Sequence, residues 1–395
     1  MPNKLFMRIG FDAKRAFHNT TGLGHYSRTL IRSLATTFPQ HEYYLLNPKP
    51  SSLFNFDDLN NVHEILPEKT LHRVFPSAWR SKWVTGDLGI LNLHIYHGLS
   101  HEVPVGISQS GSKSVVTMHD LIHERYPEQY KKVDVNIYRQ KFRYACKHAD
   151  RVIAISQQTK NDLVEFYGAD ESKIRVCYQS CNPRFAQQVS ADEKLRIKNL
   201  YNLPDQFFLY VGSVIERKNL LNICKAVFLL RNDLQIPLVV IGEGTGYMQL
   251  VKDYVKQQGL SNKIIFLSHN QSTKNLESFK TATDFPAIYQ QAIAMIYPSF
   301  FEGFGIPVLE ALFSRLPVIT SNLSCLPEAG GDGALYINPH EAVDIAKAMQ
   351  RVYQDEVLVA EMKEKGWKHA QHFTPEKCAA SVMDVYYELD KDSFA

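Results

Sequence analysis

The stretch AIAMIYPSFFEGFGIPVLEAL (292–312) sets the architecture of this 395-residue chain. An apolar run, AIAMIYPSFF (292–301), reads as a buried segment that enters a loop, and a helix pattern follows over 307–314. A short buried strand, a glycine-bearing loop and a helix form the repeating unit of a parallel sheet wrapped in helices. Pro307 suits the first helical position, where its missing N–H leaves no partner unsatisfied. Gly303 and Gly305 let the backbone approach a ligand closely. The N–H groups of the loop then face an anion, while Glu310 rides the first turn of the helix. A carboxylate repels phosphate but accepts hydrogen bonds from the hydroxyls of a ribose or hexose. Glu302 and Glu310, with Phe304 between the glycines, therefore read as a site for a sugar attached to a phosphate.

Outward from this unit, the same pattern repeats in both directions. Strands are expected at 7–12, 43–47, 95–98, 114–118, 151–156 and 173–178, then at 207–212, 237–242, 263–268, 294–299, 317–321 and 334–338. Helix patterns fall between them, at 24–37, 135–149, 157–167, 219–231, 245–258 and 341–353. Two doubly wound α/β domains follow, and the length suits two domains better than one. The polar, irregular stretch 182–205 is the expected junction. The domains are then 1–185 and 186–374. A terminal helix within 375–395 has no strand after it, so it is expected to pack back across the domain boundary. Ligands of open α/β sheets bind beyond the carboxyl ends of the strands, which places the site in an interdomain cleft.

Composition excludes several classes. With 45% hydrophobic and 22% charged residues, the chain is of ordinary soluble type. No apolar run reaches the roughly 18–20 residues that span a bilayer, and the first residues are too broken in apolar content for a secretory signal. The six cysteines form no CxxC pair, so reduced thiols and a cytoplasmic setting are expected. Residues 1–190 carry 24 Lys and Arg against 17 Asp and Glu, or +7, while residues 191–395 carry 20 against 24, or −4. The first half thus suits an anionic surface or substrate. Nucleic acid is excluded as a partner, because no dense basic stripe with interleaved aromatics occurs.

Several motifs carry chemistry. In FFLYVGSVIERKNLLNICKAVFLL (207–230), Gly212 ends a strand, and Arg217 and Lys218 precede a helix with Asn219 at the N-cap position. Two cations beside a helix N-terminus suit a diphosphate, although the same residues also fit a solvated surface. His119 follows the strand at 114–118 and reaches beyond its carboxyl end; a core or capping histidine beside the turn former Asp120 is the alternative. Gly22 and Gly24 resemble part of a dinucleotide fingerprint. Ser27 replaces its third glycine and no acid follows the second strand, so an NAD-dependent oxidoreductase is excluded. These glycines approach either a ligand or a neighbouring strand. Residues 69–84 place Lys69, Arg73, Arg80 and Lys82 beside Phe75, Trp79 and Trp83. Such a segment either rests on an anionic membrane face or buries its tryptophans within the domain. No metal-ligand spacing such as HExxH occurs, and no metal is expected.

Together the motifs TGLGHYSRTLIRSL (21–34), VVTMHDLIHERYPEQY (115–130), RVIAISQQTKNDL (151–163), GSVIERKNL (212–220), Glu302 to Glu310 and LPEAGGDGALYINP (326–339) are highly specific in order and spacing. The chain resembles the retaining, nucleotide-sugar-dependent glycosyltransferases of family 4, with the two-Rossmann GT-B architecture and a mannosyltransferase-like style. The resemblance implies that Arg217 and Lys218 grip the donor diphosphate, that Glu310 accepts from the nucleotide ribose, and that Glu302 with Gly303, Phe304 and Gly305 holds the donor sugar. It implies that His119 contacts the transferred sugar, that Gly22 and Gly24 border the phosphates, and that 1–185 is the acceptor-side domain and 186–374 the donor-binding one. The implied donor is a GDP- or UDP-linked hexose, mannose foremost, and no other cofactor is implied. The implied acceptor is a saccharide or lipid-linked saccharide in surface polysaccharide synthesis, and the implied setting is the cytoplasm, peripheral to the inner face of the cell membrane. The stretch 269–285, longer than in relatives, lies near the expected base pocket. A nucleotide-sugar epimerase of the same fold, and a catalytically silent nucleotide-sugar-binding subunit, are the alternatives.

Overall fold

The computed structural model describes residues 6–391, which divide into two compact units. The first runs through Ser180 and takes up again at Phe373; the second is Cys181–His372. Each is a parallel sheet covered by helices.

The first sheet contains β1 (Arg8–Asp12), β2 (Glu42–Leu46), β3 (Val62–Ile65), β4 (Ile95–Gly98), β5 (Lys113–Met118), β6 (Arg151–Ala154) and β7 (Ile174–Val176). Their order is β3-β2-β1-β4-β5-β6-β7, with every pairing parallel. The second sheet contains β8 (Phe208–Val211), β9 (Leu238–Ile241), β10 (Ile264–Phe266), β11 (Ala294–Tyr297), β12 (Val318–Ser321) and β13 (Ala334–Ile337), in the order β10-β9-β8-β11-β12-β13. Strands β4, β8, β9, β11 and β12 are buried at every residue. Helices on both faces remove both sides of such strands from water, which is why they read as continuous apolar runs rather than alternating ones. In each sheet the strand order reverses once, between β1 and β4 and between β8 and β11, where doubly wound sheets bind their ligands.

Two departures from the sequence reading, and the outcome of one open alternative, have physical causes. Strand β3 was not expected, because it is an edge strand whose His63 and Glu64 are not buried and break the apolar pattern. The stretch 182–205 is not irregular throughout: Ala191–Tyr201 is a helix, capped by Ser190, whose hydroxyl accepts from the Glu193 N–H at 3.2 Å. Ser190 and Glu193 have capping-box spacing, a signal that was legible. In residues 69–84, Trp79 is fully buried and its Nε1 donates to Asp87 at 2.6 Å, while Trp83 stacks on His72 with ring centroids 5.1 Å apart. Of the two readings of this segment, burial within the domain holds for Trp79, and Leu71, Val74 and Phe75 stand more than half exposed. Among the described residues no helix is long and apolar enough to cross a membrane. The six cysteines are buried, and none is joined in a disulfide.

The terminal helix Pro375–Lys391 packs on Gly22–Thr37 and gives Ala379, Val382, Met383, Val385, Tyr386 and Leu389 to the core beneath β1, β2 and β4. Each fully buried side chain of the larger kind is worth about 1.5–3 kcal/mol. Within that core His97 Nδ1 lies 2.6 Å from the Tyr386 hydroxyl and Nε2 lies 2.8 Å from Thr117 Oγ1, which Tyr26 also reaches at 3.0 Å. Burial, aided by the nearby His119, pushes the His97 imidazole down to about 3, so it is neutral and each ring nitrogen needs its partner. Tyr386→Phe is accordingly expected to cost about 1–3 kcal/mol by stranding His97 Nδ1, measured by urea unfolding. A loss below a few tenths of a kcal/mol would show that water replaces the hydroxyl.

Candidate functional site

The second unit places its chemistry at the β8–β11 reversal. After β8 the chain passes Gly212, makes a single turn over Glu216–Lys218, and enters the helix Leu220–Leu229. After β11 it forms the loop 298–304 and enters the helix Ile306–Phe313. The two loops are joined by the Phe300 N–H, which donates to the Arg217 carbonyl at 2.9 Å. Asn219 occupies the N-cap position but does not cap with its side chain; its φ is 62°, and its amide donates to the carbonyls of Pro298 at 3.1 Å and Pro339 at 2.7 Å. Its task is to tie loops together.

Glu302 is the hub. Arg217 Nη1 lies 3.2 Å and Lys218 Nζ 3.0 Å from its carboxylate, and the Tyr297 hydroxyl donates to it at 3.0 Å. Lys218 Nζ also donates to Tyr297 Oη at 2.5 Å, and Arg217 Nη1 donates to the Phe301 carbonyl. Burial alone would raise the Glu302 carboxyl, but Lys218 and Arg217 hold it down at about 2. Glu302 is therefore ionised at pH 7, and with two cations and one carboxylate the cluster carries one net positive charge. The main chain around Glu302 is fixed as well: its N–H donates to Ser324 Oγ at 3.1 Å, and its carbonyl accepts from the Cys325 thiol at 3.0 Å. Gly305 has φ 110°, and a Cβ there would stand 3.0 Å from Leu326 Cδ2. Glycine is required by both conformation and space. Phe304 is buried, and Gly303 is half-buried between it and Glu302.

The helix begins one residue earlier than expected, so Pro307 is its second residue and Glu310 stands on its second turn, not its first. Glu310 is apart from the Glu302 cluster in its bonding and accepts from the Tyr289 hydroxyl at 2.8 Å. Burial pushes its carboxyl up to about 7, which the Tyr289 bond only partly opposes. Gly212 borders the cluster, since a Cβ there would lie 3.3 Å from the Lys218 stem. The expected long loop at 269–285 holds the short helices Gln271–Lys274 and Glu277–Lys280.

The remaining expected residues belong to the first unit. His119 follows β5 and is buried; its Nε2 lies 2.9 Å from the Leu99 carbonyl, and its N–H donates to His101 Nε2 at 3.0 Å. Burial pushes its imidazole down to about 4, so it is neutral at pH 7. The Tyr26 ring packs edge-on against it with centroids 4.6 Å apart. Tyr26 lies on the helix that starts at Gly22, so the Gly22–Gly24 turn and His119 share one corner of the unit. Gly24 is explained locally, because a Cβ would stand 1.8 Å from the Asn19 carbonyl oxygen; Gly22 has open space around it.

Tyr297, Tyr289 and Asn219 complete the second unit's site beyond the expected set. Tyr297 ends β11 directly before Pro298, and that position was the available signal.

Comparison with known proteins follows the two units. The model for glycosyl transferases group 1 matches residues 191–369, and that for glycosyltransferase family 4 matches residues 20–184. The O-antigen chain mannosyltransferase B of Escherichia coli is 24% identical over 96% of this chain and 99% of its own length. The O-antigen chain mannosyltransferase RfbU of Salmonella typhimurium is 27% identical over 64% of this chain and 63% of its own. Among solved structures, a glycosyltransferase from Rickettsia africae superposes with a TM-score of 0.73 at 16% identity, covering 99% of this chain and 100% of that one. Anabaena HepE in complex with UDP and glucose gives 0.70 at 14% identity over 96% and 98%. These likenesses show the fold, with sheets of seven and six parallel strands of the GT-B type.

Proposed function

The chain belongs to the glycosyl transferases of group 1 and family 4, and we propose that it moves a mannosyl group, with retention, from a GDP- or UDP-linked donor to a saccharide or lipid-linked saccharide of a surface polysaccharide. One observation carries the reading: at the β8–β11 reversal two cations converge on one carboxylate beside a glycine-gated helix start. Net positive charge, a glycine-bearing loop and a half-buried carboxylate further along the helix match, in order, a diphosphate, a transferred sugar and a ribose. The named activities of the Escherichia coli and Salmonella relatives support mannose and O-antigen-like polymers. HepE, whose structures hold UDP, supports a nucleotide sugar as donor.

In the reaction the bond from the anomeric carbon to the donor phosphate breaks, and an acceptor oxygen forms the new bond on the same face. The acceptor proton passes to the departing phosphate oxygen. Negative charge grows on that phosphate, and Arg217 and Lys218 stabilise it where it grows, so that they lower the barrier and not only the binding energy. No metal is assigned a part, since these cations suffice for the leaving group. His119, neutral, offers a hydrogen bond to the sugar and no general acid. The exposed Leu71, Val74 and Phe75 beside Lys69 and Arg73 give the protein a face for an anionic membrane surface.

The test is a panel of nucleotide sugars, followed by nucleotide release and by product anomeric configuration. Release from GDP-mannose with an α-linked product is the expected result; release from no donor sinks the reading. A second measurement probes Glu310. Burial pushes its carboxyl up to about 7, and the ionised form is the stronger acceptor for the ribose hydroxyls. Nucleotide affinity is therefore expected to fall by about tenfold from pH 8 to pH 6, as the ionised fraction falls. Glu310→Gln should remove that share of the pH dependence and leave only the part due to the nucleotide's own phosphate. An unchanged profile in Glu310→Gln would separate Glu310 from the ribose.

A further inference from the structure

A second basic cavity lies in the first unit, at the carboxyl ends of β1 and β2, beside that sheet's strand-order reversal. It measures about 200 Å³ and is lined by Lys14, His18, Pro48, Lys49, Pro76, Ser77 and Arg80. Its floor is a buried charge cluster. Arg80 Nε donates to both Asp12 carboxylate oxygens at 2.9 Å, Nη2 donates to Asp12 at 2.5 Å, and Nη1 donates to Glu102 at 2.9 Å. Lys141 pairs with Glu102 at 3.1 Å. These bonds leave one N–H on each terminal nitrogen of Arg80 uncommitted.

Lys14 is different. Among the described residues no carboxylate pairs with its ammonium, and it is half-buried. Burial, with the like charges of Arg80 and Arg15, pulls its pKa down, and the smaller opposing influence of Glu102 and Asp12 does not offset them. Lys49 is exposed at the rim, and His18 Nε2 is committed to Asn47 Oδ1 at 3.0 Å and the Lys49 carbonyl at 3.1 Å. Lys14 and Lys49 therefore face a small cavity without a carboxylate partner, above an Arg80 that is already paired with Asp12 and Glu102. Its size falls below the roughly 300–1,000 Å³ of pockets that hold whole small molecules, so it fits a single group and not a nucleotide.

We infer that this cavity binds a phosphoryl group carried by the acceptor, with Lys14 and Lys49 as its ligands and Arg80 as its fixed floor. The inference rests on the reading of the first unit as the acceptor side. Strands β1 and β5 are separated only by β4, so the cavity lies about 10–15 Å along the sheet edge from His119 at the end of β5, two to three interstrand spacings. A short saccharide spans that distance between a held phosphate and a reacting hydroxyl.

Calorimetric titration with pyrophosphate and with a hexose 1-phosphate, in the presence of saturating nucleoside diphosphate to fill the second unit's site, tests this. Expected is one binding event that weakens tenfold or more in Lys14→Gln and in Lys49→Glu, with nucleoside diphosphate affinity and melting temperature unchanged. With a phosphorylated acceptor, KM should rise by a similar factor while kcat holds, and an uncharged acceptor should show no change. Equal phosphate binding in wild type and Lys49→Glu overturns the inference. So does binding to phosphatidylglycerol vesicles without any response to pyrophosphate or hexose 1-phosphate, which would make the cavity a lipid headgroup contact. Nucleoside diphosphate binding is read separately, so its absence would sink the donor site and leave this result standing.

Discussion

Arg217→Ala is expected to lower kcat by about 10²–10³, the typical loss when one fixed stabiliser of transition-state charge is removed. The geometry makes Arg217 hard to replace. It reaches Glu302 and the Phe301 carbonyl with one terminal nitrogen, so it both supplies charge and fixes the loop that faces the donor. Without it, Glu302 remains buried with Lys218 as its sole cationic partner, and the lysine is drawn onto the carboxylate and away from phosphate. A stability loss accompanies this, up to the about 3–5 kcal/mol seen when a buried pair is broken. Arg217→Lys keeps charge but loses the planar, forked donor set, and should recover only part of the rate. Initial rates of nucleotide release, measured on variants shown by circular dichroism to be folded, decide the matter. A folded Arg217→Ala that turns over within about threefold of wild type, less than 1 kcal/mol of barrier, would remove Arg217 from the chemistry.

Arg80→Ala is expected to destabilise the first unit by about 3–5 kcal/mol, because it leaves Asp12 ionised and buried without its counter-charge. Burial by itself would raise the Asp12 carboxyl; Arg80 outweighs it and holds the pKa below the ordinary value. A depressed carboxyl contributes stability above its unfolded pKa, near 4, and loses it as pH falls through the folded value. The wild-type protein should therefore weaken on acidification below about pH 4 in part through this pair. In Arg80→Ala the sign reverses: Asp12 now favours its protonated form, so the penalty is largest at pH 7 and shrinks toward pH 5. Asp12→Asn in the same background should return part of the loss at pH 7. Urea unfolding at the two pH values gives the result, and a penalty below about 1 kcal/mol at pH 7 would mean that water reaches Asp12.

Much of this was legible because burial on both faces writes itself plainly into a strand. The runs at 208–211, 238–241 and 294–297 admit few other readings. Strand β3 was hidden for the opposite reason, since an edge strand half in water keeps no apolar signature. The helix Ala191–Tyr201 escaped because its outer face is charged, and only the Ser190–Glu193 cap announces it. Glycines near the site were visible, and Gly305 has the left-handed backbone that makes it glycine. Pairings between distant segments were not. Nothing local in the sequence joins Arg80 to Asp12, or Tyr386 to His97, because each contact arises from the strand order and not from spacing. The strand order does place Arg217 and Lys218 beside Glu302, since β8 and β11 are neighbours at a reversal that no single motif states. Trp79 shows the remaining ambiguity: an indole beside cations suits a surface until a buried acceptor such as Asp87 is found for its N–H.

The return of the chain's last helix to the first unit has a consequence for how the protein is made. Cys181–His372 is continuous and can close its core as soon as it has left the ribosome. Residues 6–180 emerge before it yet lack part of their core, since residues 379–389 pack into the cluster beneath β1, β2 and β4. Order of synthesis and order of completion are thus inverted. While the second unit is being translated, the first holds Ile31, Leu34 and Tyr43 uncovered, and this interval is when it is most in need of a chaperone.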